Sequence, residues 1–85
     1  MYKIYFTKKA EKELDKLSSI DTQSTLLKVT KLTFPFPVNL DIKRLVGITG
    51  FYRLRIGKVR AIFEVDEIKK EIWIRKIGYR GGIYR

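Results

Sequence analysis

Phe51-Tyr-Arg-Leu-Arg-Ile-Gly-Lys-Val-Arg-Ala-Ile-Phe-Glu-Val65 is the stretch whose reading decides the fold. Its residues alternate on both sides of Gly57-Lys58, the pattern of two strands joined by a tight turn, and glycine in the first turn position suits a type II′ loop. That turn pairs Ile56 with Val59, Arg55 with Arg60 and Leu54 with Ala61. Successive side chains point to opposite faces, so Tyr52, Leu54, Ile56, Val59, Ala61 and Phe63 form one apolar face. Arg53, Arg55 and Arg60 share the other with Ile62 and Glu64. Like charges directly opposed in a strand pair are destabilising, so Arg55 facing Arg60 calls for an anion. Glu64, diagonal to Arg53, balances part of the cluster. A solvated charged face is the plain alternative for any basic strand.

Working outward, Asp66 to Lys70 turns the chain into a last strand, Glu71 to Ile77. A five-residue loop pairs Phe63 with Trp73 in the core and sets Ile72, Ile74 and Lys76 beside the arginines. A slip of one residue reverses both faces. The first register is expected, because it buries the single tryptophan. Upstream, Tyr2 to Phe6 alternates as a short strand with Ile4 and Phe6 on one face and Tyr5 on the other. Thr7 reads as an N-cap for a helix over 8–17, with Ala10, Leu14 and Leu17 on its apolar stripe. Ser18-Ser19 breaks that helix. Ser19 or Asp21 caps a second one, reaching about Leu32, with Leu26, Leu27, Val29 and Leu32 as its apolar residues. Pro35 and Pro37 begin a loop that leads through Ile42-Lys-Arg-Leu45 to a turn at Gly47-Ile-Thr-Gly50. The expectation is a single α+β domain over residues 1–85, in the order β-α-α-β-β-β. An antiparallel helical hairpin packs on one face of a mostly antiparallel sheet, and the other face is basic.

Composition narrows the function. The 85 residues carry 19 lysines and arginines against 9 acidic residues, a formal charge of +10, which favours a polyanionic partner such as nucleic acid, a ribosome or an acidic protein. With neither cysteine nor histidine, the chain offers no disulfide framework and no Cys/His metal site. Its acidic residues are scattered, so no metal or other cofactor is expected. No apolar run approaches the ~20 residues of a membrane span, and Met1 to Phe6 does not resemble a secretion signal. A cytoplasmic location and no membrane partner are the expectation.

The chain ends Ile77-Gly-Tyr-Arg-Gly-Gly-Ile-Tyr-Arg85, where Gly78, Gly81 and Gly82 permit an irregular backbone that brings Arg80 and Tyr84 over the sheet. Taken together, the helical hairpin, Lys-Arg-Leu-x-Gly-x-x-x-Phe-Tyr-Arg-Leu-Arg-Ile-Gly-x-x-Arg-x-Ile-Phe-Glu-Val and the final Gly-x-Arg-x-x-Ile-Tyr-Arg closely resemble the RelE/ParE toxin superfamily of type II toxin–antitoxin systems. The resemblance covers nearly the whole chain, and the ending looks like the RelE-type ending with Tyr79 in place of the usual histidine. It implies a ribosome-dependent endoribonuclease that cuts mRNA in the decoding site, silenced by an antitoxin in a hetero-oligomer. ParE-type members share the fold and poison DNA gyrase instead, and a catalytically weak relative that only binds RNA or antitoxin is a third reading. Arg53 and Arg55 occupy positions that are lysines in the best-known ribosome-dependent member. Arg60 matches the arginine that opens the following strand, and Arg80 and Tyr84 match the tail arginine and tyrosine. Lys43 lies near the position where some relatives place a catalytic acidic residue.

The chemistry so implied is attack of a 2′-hydroxyl on the adjacent phosphate. Planar guanidinium groups hold phosphate oxygens bidentately, which assigns Arg55 and Arg60 to the scissile phosphate and Arg53 to the same or the next one. Proton transfer works best with a group titrating near the operating pH, and histidine is absent. Arginine stays protonated to roughly pH 12 and makes a poor base. Tyr84 is the remaining candidate, since nearby positive charge lowers a phenol's reference pKa of ~10, or else it stacks on a base. Arg80 stabilises or protonates the leaving group. Lys43, Arg44, Lys58 and Lys76 are the flanking RNA-binding candidates. An acidic, amphipathic antitoxin segment is expected to pair with the basic face and cover Ile62, Ile72 and Ile74.

Overall fold

The arginine-bearing hairpin folds as its alternation requires. In a computed structural model that describes residues 1–80, β3 (Phe51–Ile56) and β4 (Val59–Asp66) pair Ile56 with Val59, Arg55 with Arg60 and Leu54 with Ala61. Gly57 takes φ +58°, and the one non-glycine residue described at positive φ is Lys70. A left-handed first position followed by an ordinary Lys58 is the type II′ geometry, whose twist matches that of the flanking strands.

Around the hairpin the order is β1 (Lys3–Phe6), α1 (Lys8–Asp15), α2 (Ser19–Val29), β2 (Asp41–Arg44), β3, β4 and β5 (Glu71–Tyr79). The sheet runs β1-β5-β4-β3-β2, with β1 parallel to β5 and the other pairs antiparallel. The expected architecture therefore gains an edge strand, β2, from the segment that the sequence marked only as a stretch leading to a turn. Both helices lie over one face, where Leu54, Ala61, Phe63, Ile72 and Ile74 are fully buried beneath Ala10, Val29 and Leu32. Ile4 and Phe6 complete this face from β1, as the alternation predicts. The loop after α2 returns Phe34 and Phe36 to the core, where Phe36 meets Phe63 edge-on with ring centroids 5.7 Å apart.

Thr7 caps α1 as expected, its hydroxyl oxygen accepting from Ala10 N at 3.1 Å. For α2 the cap is Ser18, one residue earlier than expected, accepting from Asp21 N at 3.2 Å. Its inward face carries Thr25 and Val29, whereas Leu26 and Leu27 are exposed. Thr22 Oγ1 donates to Leu14 O at 3.2 Å and ties the two helices together.

The last strand adopts the register that sequence reasoning set aside. Phe63 pairs with Ile74, Glu64 with Trp73 and Val65 with Ile72, and the turn spans residues 67–70. Asp66 Oδ1 closes that turn by accepting from Ile68 N and Lys69 N at 3.1 and 3.0 Å. Ile72 and Ile74 thus sit in the core with no exposed surface, and Trp73 faces outward. A β-bulge then inserts Arg75, because Ile62 pairs with Lys76 next to the Phe63–Ile74 pair. The bulge shifts the parity of everything after it, which lets Ile77 reach the core and returns Lys76 to the arginine face. The spacing of Ile72, Ile74 and Ile77, two residues and then three, is the trace of that bulge in the sequence.

Candidate nucleic-acid interface

Directly opposed residues share a face, so strand register lays out the surface opposite the helices as parallel rows. Nearest the hairpin turn the row is Gly78–Arg60–Arg55–Asp41. The next is Lys76–Ile62–Arg53–Lys43, and the third is Tyr5–Trp73–Glu64–Phe51. The first two rows bring together Arg53, Arg55, Arg60, Lys43 and Lys76 with one carboxylate, Asp41.

The three arginines differ in environment. Arg60 is 5% exposed, and its Nη1 donates to the carbonyl oxygens of Gly57 and Val59 at 3.0 and 3.2 Å. The hairpin turn therefore fixes this guanidinium. Arg53 is largely covered and its Nη2 donates to Asp41 Oδ1 at 3.2 Å. Its Nε is buried with no hydrogen-bond partner among the described residues. Arg55 is the open one, with half its side chain exposed and Nη1 3.9 Å from Asp41 Oδ2.

Asp41 is the residue that sequence reasoning missed. It stands opposite Arg55 because β2 is a strand, and it supplies from within the anion that the Arg55–Arg60 opposition requires. Glu64, expected to share that task, instead pairs with Arg75 at 2.6 and 2.8 Å. The signal that reveals Asp41 is Asp-Ile-Lys-Arg read as an antiparallel neighbour of Arg53-Leu-Arg55.

The other candidate residues separate. Lys43 and Lys76 join the arginine rows. Arg44 pairs with Tyr52 and so lies off the helix side of the edge strand, away from the cluster. Lys58 sits on the hairpin turn with its Nζ 5.9 Å from the centroid of the Tyr79 ring. Arg80 comes to the same turn through its backbone, Arg80 N donating to Lys58 O at 3.1 Å. Tyr79 faces the helices, its hydroxyl donating to Asp21 Oδ2 at 2.9 Å and accepting from Ser18 N at 3.2 Å. Tyr84 lies outside the described residues. The expected apolar patch of Ile62, Ile72 and Ile74 does not form, since Ile72 and Ile74 belong to the core and Ile62, though on the arginine face, is 7% exposed. Among the described residues no group of acidic side chains is placed to hold a metal ion, and no helix is long and apolar enough to cross a membrane.

Residues 4–84 match the family described as the ParE toxin of type II toxin–antitoxin systems, parDE. The chain belongs to the ParE toxin family. It is 46% identical over 57 residues to RelE1 of Methanocaldococcus jannaschii, a match that takes in 66% of this chain and 63% of RelE1, less than two thirds of that protein. Its fold superimposes on the archaeal RelE–RelB complex of Pyrococcus horikoshii with a TM-score of 0.80 at 29% identity, covering 95% of this chain and 97% of the other. The intact E. coli RelBE toxin–antitoxin complex gives 0.74 at 26%, covering 93% and 96%. In this ParE-family chain the helices cover one sheet face, and the arginine rows lie on the other.

Proposed function

We propose that this ParE-family chain is the toxin of a type II toxin–antitoxin pair and inhibits translation by cutting mRNA on the ribosome. The observation that carries the reading is the concentration of Arg53, Arg55, Arg60, Lys43 and Lys76 in two adjoining rows of one sheet face. The likeness to RelE proteins supports it further. The scissile phosphate sits against Arg55, with the buried Arg60 fixed beneath it as a preorganised positive charge. Arg53 and Lys43 take the adjoining phosphate. The 2′-oxygen attacks phosphorus, a cyclic 2′,3′-phosphate forms and the bond to the 5′-oxygen breaks. Tyr84, as its phenolate, takes the 2′ proton, and the departing 5′-oxygen, stabilised by Arg80 beside the hairpin turn, takes a proton from solvent.

An acidic antitoxin silences the toxin by offering carboxylates to the same cations, and the two form a hetero-oligomer. Asp41 already shows the geometry in miniature, a carboxylate held by Arg53 and near Arg55. The solved RelE–RelB and RelBE structures are themselves complexes, the latter of toxin with antitoxin, which supports a hetero-oligomer.

The family's ParE description favours a second reading, a non-enzymatic inhibitor of DNA gyrase. Mapping mRNA 5′ ends on ribosomes after induction separates the two. Cuts inside translated codons that vanish in Arg55→Ala and Tyr84→Phe support the first reading. Intact mRNA together with blocked supercoiling supports the second.

A further inference from the structure

The third row of the open face differs from its neighbours in chemistry. Trp73, which the register turns out of the core, stacks on Tyr5 of β1 with ring centroids 4.8 Å apart and planes inclined by 21°. Its indole Nε1–H donates to Glu71 Oε1 at 3.0 Å, which fixes the ring. Both aromatic side chains are half-buried. The charges along this row are matched: Glu64 is held by Arg75, and that guanidinium lies 6.0 Å from the centroid of the Phe51 ring. A phosphate therefore meets no net attraction here, whereas in the adjoining row and the one beyond it a phosphate meets an excess of cations.

We propose that the Tyr5–Trp73 pair is a base-binding subsite for single-stranded RNA whose backbone is held by the arginine rows. The proposal rests on the RNA-cutting function above. Along β3 and β4 adjacent rows are separated by two residues, about 7 Å, a step comparable to one nucleotide of an extended single strand. A strand with a phosphate at Arg55 and the next at Arg53 and Lys43 thus carries a following base to the aromatic row. Aromatic side chains beside a cationic track are the general solution for binding single-stranded nucleic acid, because every base has a π-face to stack while the cations follow the backbone.

Trp73 is the sole tryptophan of the chain, so its fluorescence reports this subsite alone. The test titrates the full chain with a short 2′-O-methyl oligoribonucleotide and with a series in which one position at a time is abasic. Binding is followed separately by the anisotropy of a dye on the oligonucleotide. The expected result is saturable quenching of Trp73 by the complete strand, with one abasic position that weakens binding about tenfold or more and abolishes the quenching. Trp73→Leu weakens binding of the complete strand by the same factor and leaves that abasic strand unaffected. Tyr5→Leu repeats the comparison with the indole retained, and covers the case in which Trp73→Leu does not fold. Binding by anisotropy with unchanged Trp73 fluorescence overturns the proposal, as does wild-type affinity in both variants or no binding at all. Quenching by an acidic peptide but not by the oligonucleotide also overturns it and assigns the row to a protein partner. Ribosomal mRNA cleavage is scored in parallel: cleavage with a silent Trp73 sinks only this subsite, whereas absence of cleavage sinks the functional reading whatever Trp73 does.

Discussion

Arg55 and Arg60 stand directly opposite each other across the β3–β4 ladder, and their guanidinium groups are held apart by different anchors. Arg60 turns back onto the carbonyl oxygens of Gly57 and Val59, while Arg55 leans outward toward Asp41. One charge is thereby buried and fixed, and the other is left open to a ligand. The pair explains how a strand pairing that repels itself persists in the fold: backbone carbonyl dipoles and one carboxylate absorb the repulsion.

Arg55→Ala removes the exposed member alone. Cleavage of ribosome-bound mRNA is expected to fall about 100-fold or more, the cost of losing one preorganised donor to a reacting phosphate. Stability to urea should change by no more than about 0.5 kcal/mol, as at other open surface positions. Retained cleavage would remove Arg55 from the site.

Arg60→Ala behaves differently, because Arg60 is 5% exposed and satisfies two carbonyl oxygens. Its loss should lower stability by about 1–3 kcal/mol as well as abolish cleavage. Urea unfolding of the two alanine variants side by side checks the contrast. Equal stability would mean that the turn does not depend on this guanidinium.

Asp41→Asn frees Arg53 and Arg55 for a polyanion. Affinity for single-stranded RNA should rise, and the slope of log affinity against log salt should steepen by about 0.7 for each additional phosphate engaged. The fold should lose about 1 kcal/mol or less, because Asp41 is half-exposed and an asparagine oxygen still accepts from the largely covered Arg53. Weaker RNA binding in this variant would show that Asp41 assists the ligand rather than competing with it.

Ile74→Ala tests the register of the last strand. A fully buried isoleucine in the β5 core should cost about 2–5 kcal/mol on truncation. Had Ile74 lain on the arginine face, the same change would alter antitoxin binding and leave urea stability nearly unchanged. Lys76→Ala, on that face, supplies the opposite pattern.

Tyr79→Phe removes the hydroxyl that joins Ser18 N and Asp21 to the end of β5. The expected loss is about 0.5–1.5 kcal/mol, with faster hydrogen exchange at the Ser18 amide. Unchanged exchange would show that the link between the helical hairpin and β5 does not depend on this hydroxyl.

Much of this protein could be read residue by residue. The period-two alternation on either side of Gly57-Lys58 determined the hairpin, its turn and both of its faces, because these depend on neighbours in sequence and on a single local twist. Thr7 marked the start of α1 for the same reason, since a cap acts within one turn. The concentration of arginine on one face, and with it the expectation of a polyanionic partner, followed directly. Only the tertiary structure decided where the last strand pairs. Two registers bury comparable apolar side chains locally, and the choice falls to the bulge at Arg75, which lets Ile72, Ile74 and Ile77 all reach the core at the expense of turning Trp73 outward. Tertiary structure also decided that Asp41 meets Arg53 and Arg55, and that Arg60 is buried while Arg55 is open. These are contacts between segments, and their strength depends on distance and burial, quantities that exist only once the chain has folded.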